Sequence, residues 1–259
     1  MTEQVVSIQL SKYKSLFLVG AVISFILGMT QGIWLRQFLP QNDFVVYVYV
    51  ALQELFVIGI PAILLMLRKK DLYKPLFTKP DTWSIGLVAL AAVSFSLAAI
   101  LISVIWITLL QSAGINFPLP ANLPKLSGPF EFSMAILLAA IIPAVSEEMM
   151  FRGLLQIFLR NRLSGRKDIF VVAFIFALLH FSVHGFAALF FIGLFLSMLV
   201  NRYKSLWLAI IFHILYNSIV IILQTLDSLP SVRLIFLCLG IYLAVSYLLF
   251  QKKGANVWI

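Results

Sequence analysis

The sequence predicts an all-α fold: a polytopic integral membrane protein of about eight transmembrane helices enclosing a polar chamber. Three observations carry this reading. First, 62% of the 259 residues are hydrophobic and only 11% are charged, with a mean hydropathy of +1.05. No soluble domain of this length could hide so much apolar surface. Second, several apolar runs exceed the roughly 20 residues that cross a hydrocarbon core. Third, the basic residues gather on alternate connections between these runs. Lipid supplies no partners for backbone N–H and C=O groups, and the runs are too long for barrel strands, so helices remain.

In chain order the spans are read at about 15–35, 44–67, 83–110, 133–159, 169–184, 186–200, 206–224 and 232–250. MTEQVVSIQLSKYK precedes the first, which lacks a small-x-small cleavage site before its polar end. It reads as a retained helix, not a signal peptide. The fifth and sixth spans are short and separated only by His184-Gly185, as a tight helical hairpin would be. INFPLPANLPKLSGPFEF, with four prolines, reads as an irregular outer loop, and DLYKPLFTKPDT as its cytoplasmic counterpart. No second domain and no repeat is evident. Residues 1–259 read as one transmembrane domain.

Eight spans put both termini on one side. That side receives Lys12, Lys14, Arg68, Lys69, Lys70, Lys74, Lys79, Arg160, Arg162, Arg166, Lys167, Arg202, Lys204, Lys252 and Lys253, fifteen of the nineteen Lys and Arg. The other side has Arg36, Lys125 and Arg233. The asymmetry makes the basic side, and both termini, cytoplasmic. It also accounts for the net charge of +9 without a nucleic-acid partner. The compact architecture suits a bacterial plasma membrane. Cys238, the single cysteine, lies in an apolar run and reads as a packing residue.

Few strongly polar residues remain at depth: Glu54, Glu147, Glu148, Arg152, His180, His213 and Asn217. An ionisable group at a helix centre costs about 2.5–3.5 kcal/mol, so three on the fourth span oppose its insertion by roughly 8–10 kcal/mol. Glu148 and Arg152 are four apart and can pair, with the acid on the favourable N-terminal side. Glu147 lies about 100° around the helix with no partner in its own span. Counted from the cytoplasmic ends at about 1.5 Å per residue, Glu147, His180 and Asn217 reach similar depths, roughly 17–20 Å, and His213 roughly 10 Å. His213 and Asn217 share one helical face.

A carboxylate beside an imidazole can hold a water and remove its proton. A second imidazole N–H with an amide NH₂ can donate to the oxygen that becomes charged when a carbonyl is attacked. Ser146 and Ser182 lack a comparably placed base, which favours activated water over an acyl intermediate.

On these residues the chain resembles the CAAX prenyl protease and bacteriocin-processing (CPBP, or Abi) intramembrane endopeptidases, similar to type II CAAX prenyl endopeptidases. The signature is Glu-Glu-x-x-x-Arg, then Phe-x-x-x-His, then His-x-x-x-Asn. Here EEMMFR supplies Glu147, Glu148 and Arg152; FALLH supplies Phe176 and His180; HILYN supplies His213 and Asn217. The likeness covers roughly residues 130–220. It implies that Glu147 and His180 activate the water, that Glu148 and Arg152 orient them, and that His213 and Asn217 form an oxyanion hole. It further implies a glutamate-dependent hydrolase with no cofactor, zinc being the alternative. The substrate would be a membrane-associated, hydrophobic or lipidated peptide, or a membrane-protein segment, reached among membrane lipids.

Blander readings stand beside these. The acids and Arg152 could be an interhelical salt-bridge cluster, His180 a hydrogen-bonded core histidine, and His213 with Asn217 a polar clasp between helices. HFSVH suggests a zinc pair of His180 and His184, but the metalloprotease motif needs Glu where Phe181 stands. His184 reads as interfacial. Glu54 could pair with Arg152, line the chamber, or be a structural or protonated acid. Two other functions compete: a non-catalytic bacteriocin-immunity or scaffold protein, and a proton-coupled transporter, which the lack of repeat symmetry disfavours.

Overall fold

The computed structural model describes residues 43–68, 70–117, 126, 128–164, 166–226 and 230–251. The span expected at 15–35, most of the proline-rich loop, and Lys12, Lys14, Arg36, Lys69, Lys125, Lys252 and Lys253 lie outside them. The described chain is helical, with α1 running through Asp43–Gln53, Glu54–Gly59 and Ile60–Arg68. The others are α2 (Thr82–Ser112), α3 (Pro129–Arg160), α4 (Lys167–Leu179), α5 (Phe186–Tyr203), α6 (Leu206–Thr225) and α7 (Val232–Gln251). Six of these, all but α4, are long and apolar enough to cross a membrane.

The fifth expected span is where the structure departs from the sequence reading. α4 has 13 residues and ends at Leu179, not near residue 184. At about 1.5 Å per residue it is roughly 20 Å long. The connection to α5 is therefore the whole stretch from His180 to Gly185, not a two-residue break. One local and one long-range hydrogen bond hold the turn that follows the helix. Gly185 N–H donates to Ser182 Oγ at 3.0 Å, and Trp106 Nε1 on α2 donates to the Val183 carbonyl at 2.8 Å. Phe181 takes a positive φ of 49°, a left-handed conformation that no α-helix continues through.

α1 and α3 are not uniform α-helices. Each widens to π-helical geometry, over Glu54–Gly59 in α1 and over Ile136–Ile141 and Met149–Leu155 in α3. The first two stretches each end two residues before a proline, Pro61 and Pro143. A helical proline lacks its N–H and crowds the carbonyl four residues back, and a wider turn relieves that crowding. The third has no proline and carries Arg152 of the polar cluster.

α2 supplies the packing floor. Its buried residues include Ala91, Ala92, Ser94, Ser96, Ala98 and Ala99, small side chains that let neighbouring helices approach closely. Ser94 and Ser96 return their hydroxyls to the carbonyls of Leu90 and Ala92, so neither leaves a polar demand on its neighbours. Asp81 caps α2, accepting from Ser84 N–H at 2.9 Å, as expected at a helix N-terminus. Phe95 then joins an aromatic cluster with Phe212 and Tyr216 of α6 and Tyr242 of α7, at 6.2, 5.8 and 4.9 Å between ring centres. Phe195 of α5 completes it, 4.8 Å from Phe212. This apolar block backs the helices that carry the polar groups.

At the basic rim, Arg160 at the end of α3 pairs with Asp168 in the first turn of α4 at 3.0 Å. The segment before α2 bridges to that before α6 through Phe77 and Ser205. These contacts fix the entry points of α4 and α6.

Candidate active site

Glu147 and Glu148 end the α-helical stretch Ile142–Glu148, and Arg152 lies in the following π stretch. Arg152 Nη1 donates to Glu148 Oε1 at 2.7 Å, and both side chains are fully buried. The (i, i+4) pair expected from the sequence is formed. Arg152 Nη2 also donates to the Gly193 carbonyl of α5 at 3.3 Å. Its guanidinium carbon sits 4.4 Å from the centre of the Phe176 ring, within cation–π range.

Glu148 Oε1 also faces His213 Nδ1 on α6 at 2.8 Å. Paired with a guanidinium, the carboxylate accepts, so His213 donates through Nδ1–H. On the far side of the ring, His213 Nε2 is 3.8 Å from Glu147 Oε2. His180 Nε2, from the end of α4, is also 3.8 Å from Glu147 Oε2. Its Nδ1 lies 2.7 Å from the Phe176 carbonyl. A carbonyl oxygen only accepts, so Nδ1 carries the proton, and a neutral His180 turns a lone pair on Nε2 toward Glu147.

Five of the six expected residues thus meet: Glu147, Glu148, Arg152, His180 and His213, drawn from three helices. Asn217 is half-buried on α6, one turn beyond His213. The polar groups form a tight cluster that is closed below and open above. Arg152 and Glu148 are fully enclosed, whereas the His180 side chain keeps 29% of its surface. A cavity of about 500 Å³ lies elsewhere, at the basic rim, lined by Lys74, Pro75, Phe77 and Thr78.

Phe176 has a larger part than simple packing. It is fully buried and its ring touches four members of the cluster region: His180 at 4.6 Å, His213 at 5.8 Å, Phe151 at 5.3 Å and the Arg152 guanidinium. An apolar ring here holds both imidazoles and the guanidinium in place and excludes water beneath them.

Sequence reasoning overlooked the partners on α5. Gly193 supplies a carbonyl to Arg152, and Ser197, one turn on, supplies one to Gln156 Nε2 at 3.0 Å. A signal existed in the spacing, because Glu148, Arg152, Gln156 and Arg160 recur every four residues and mark one polar stripe. Gly193 also sets the distance between α4 and α5. A Cβ there would lie 3.0 Å from Ala173 Cα and 3.1 Å from its Cβ. Gly193→Ala is expected to push the hairpin apart and cost about 1–3 kcal/mol. Thermal unfolding in detergent should show it against Gly86→Ala, where the added Cβ meets nothing within 4 Å.

The other candidates fall outside the cluster. Ser146 is buried with Oγ against Gly59 of α1, and Ser182 caps the turn after α4. His184 lies in that turn, and none of the cluster's ion pairs or ring contacts includes it. Among the described residues no group of three or more His, Cys, Asp or Glu is arranged to hold a metal ion. Arg152 pairs with Glu148, not with Glu54.

Neither a curated protein nor a solved structure matches the chain. A family model does match, described as type II CAAX prenyl endopeptidase Rce1-like, over residues 129–219. The matched segment runs from the start of α3 through most of α6 and contains all three motifs. Across residues 129–219 the chain is similar to this family of CAAX prenyl endopeptidases.

Proposed function

We propose that the protein is a glutamate-dependent intramembrane endopeptidase that hydrolyses a peptide bond with a water held between Glu147 and His180. The observation that carries this reading is the position of Glu147 Oε2, 3.8 Å from the Nε2 atoms of both His180 and His213. A water about 2.8 Å from each of two atoms so spaced fits between them. Glu147 takes one water proton and His180 Nε2 accepts the other as a hydrogen bond. The oxygen attacks the carbonyl carbon, and the proton on Glu147 passes to the leaving nitrogen as the C–N bond breaks.

His213 and Asn217 face the charge that develops on the carbonyl oxygen. With Nδ1–H given to Glu148, His213 donates from Nε2 only as an imidazolium, and the Glu148 carboxylate stabilises that cation. Arg152 in turn holds Glu148 in place through its 2.7 Å contact. No step requires a cofactor or metal. The substrate is an apolar or lipidated peptide, or a membrane-protein segment, because the site lies among membrane-spanning helices. We further infer that the rim of Arg160, Arg162, Arg202 and Lys204 faces the cytoplasm of a bacterial cell, with both termini on that side.

Comparative peptidomics tests the reading. Membranes with the wild-type protein should release peptide fragments that membranes with Glu147→Gln do not, and a chelator should leave the wild-type pattern intact. Identical patterns would reject the peptidase, and loss on chelation restored by zinc would reject the metal-free mechanism.

A further inference from the structure

Trp106 has no part in the reaction above, and it lies on α2, outside the matched segment 129–219. Its indole N–H donates to the Val183 carbonyl at 2.8 Å. Its ring leans on Phe186 at the start of α5, 5.9 Å between centres, and Phe186 meets Phe174 of α4 edge-on at 5.8 Å. One half-buried side chain of α2 therefore holds the turn between α4 and α5 by a backbone oxygen and by the ring just beyond it.

Left to local preference, the chain would end this helix elsewhere. Phe181, Ser182 and Val183 can continue α4, and Gly185 is an ordinary place for a helix to stop. Instead Phe181 takes a φ of 49°, a conformation rare for a bulky side chain and kept only where the surroundings hold it. The bond from Gly185 N–H to Ser182 Oγ is internal to the turn; the Trp106 bond ties the turn to a separate helix. The two possible ends differ in what becomes of His180. Helical side chains lean toward the N-terminus, so residues three and four positions on lie over the earlier one. Carried on to residue 184, α4 would set Val183 and His184 over the His180 imidazole. The turn at Phe181 takes the chain off that course. The His180 side chain keeps 29% of its surface, with Nδ1 on the Phe176 carbonyl and Nε2 toward Glu147.

We propose that Trp106 is a positioning residue of this site: its bond to Val183 ends α4 early and keeps Val183 and His184 off His180, so that the imidazole stays open to a peptide. This rests on the reading of His180 as a holder of the hydrolytic water.

The test uses full-length protein in phospholipid nanodiscs. Trp106→Phe keeps a ring but loses the donor, and a benzothiophene analogue in place of Trp106 exchanges only the N–H for sulfur. Carbethoxylation of His180 by diethyl pyrocarbonate, followed by mass spectrometry, reads the open imidazole without any cleavage. Both variants should label about fivefold more slowly, the shift in population that one ordinary hydrogen bond carries. Trp83→Phe, at an exposed indole, should label at the wild-type rate. Unchanged or faster labelling of the benzothiophene protein overturns the proposal, and that protein decides should Trp106→Phe fail to fold. With a peptide recovered from the peptidomic comparison, the same variants should raise KM about fivefold and leave kcat unchanged, because a closed fraction subtracts from binding and not from chemistry. A loss confined to kcat would mean that the bond orders the reacting groups and not access to them, and would overturn the proposal. If the wild type cleaves nothing, the peptidase reading fails, and labelling alone decides the role of Trp106.

Discussion

Glu147→Gln is expected to lower peptide cleavage by about 10²–10⁴-fold, the usual contribution of a positioned general base, while leaving the fold intact. The side chain is nearly isosteric, and Glu147 Oε2 makes no hydrogen bond to a described residue, so nothing structural is lost. Thermal unfolding in detergent should place the variant within a degree or two of the wild type, roughly 0.5 kcal/mol. Fragment release, measured by mass spectrometry, should fall nearly to background. His180→Ala should behave similarly, because it removes the second anchor of the same water. A scaffold or immunity protein predicts the opposite, with binding and protection retained in Glu147→Gln. Wild-type release from either variant would end the catalytic assignment.

Arg152→Leu should have the largest effect on stability. Arg152 and Glu148 are both fully buried, and removing one member of such a pair typically costs about 3–5 kcal/mol, because the remaining charge has no solvent. Two further losses add to it: the donor to the Gly193 carbonyl and the cation over Phe176. Unfolding by denaturing detergent should therefore shift well below that of the wild type. Glu148→Leu combined with Arg152→Leu should recover part of the loss, since no lone charge then remains between the helices. A single-variant cost under about 1 kcal/mol would show that the pair is relieved by water and is not enclosed as the structure has it.

The polar centre was legible because polar residues are scarce in this chain. In spans made of Leu, Ile, Phe and Ala, each of Glu147, Glu148, Arg152, His180 and His213 stands out, and depth counting put Glu147, His180 and Asn217 near one level. The pairing of Glu148 with Arg152 follows from spacing alone. The end of α4 was hidden for the converse reason. Phe181 and Val183 are as apolar as the helix before them, so periodicity runs on to residue 184. What stops the helix is a hydrogen bond from Trp106, distant in sequence, and a serine turn. Gly193 and Ser197 were hidden too, because they contribute backbone oxygens, which no side-chain pattern reports. Glu54 was visible as an exception but unassigned, since the part of α3 packed on its π-helical stretch lies far along the chain.

The shortness of α4 has a consequence for the surrounding lipid. Its 13 residues cover roughly 20 Å, against a hydrocarbon thickness of about 30 Å, while the other described spans are longer. A bilayer meeting so uneven a wall must thin or dip beside α4. That hydrophobic mismatch falls at His180, the residue through which the cluster opens. The shallow depression would bring headgroups and bulk solvent down to a depth that acyl chains otherwise occupy, and would feed the polar cluster from the side.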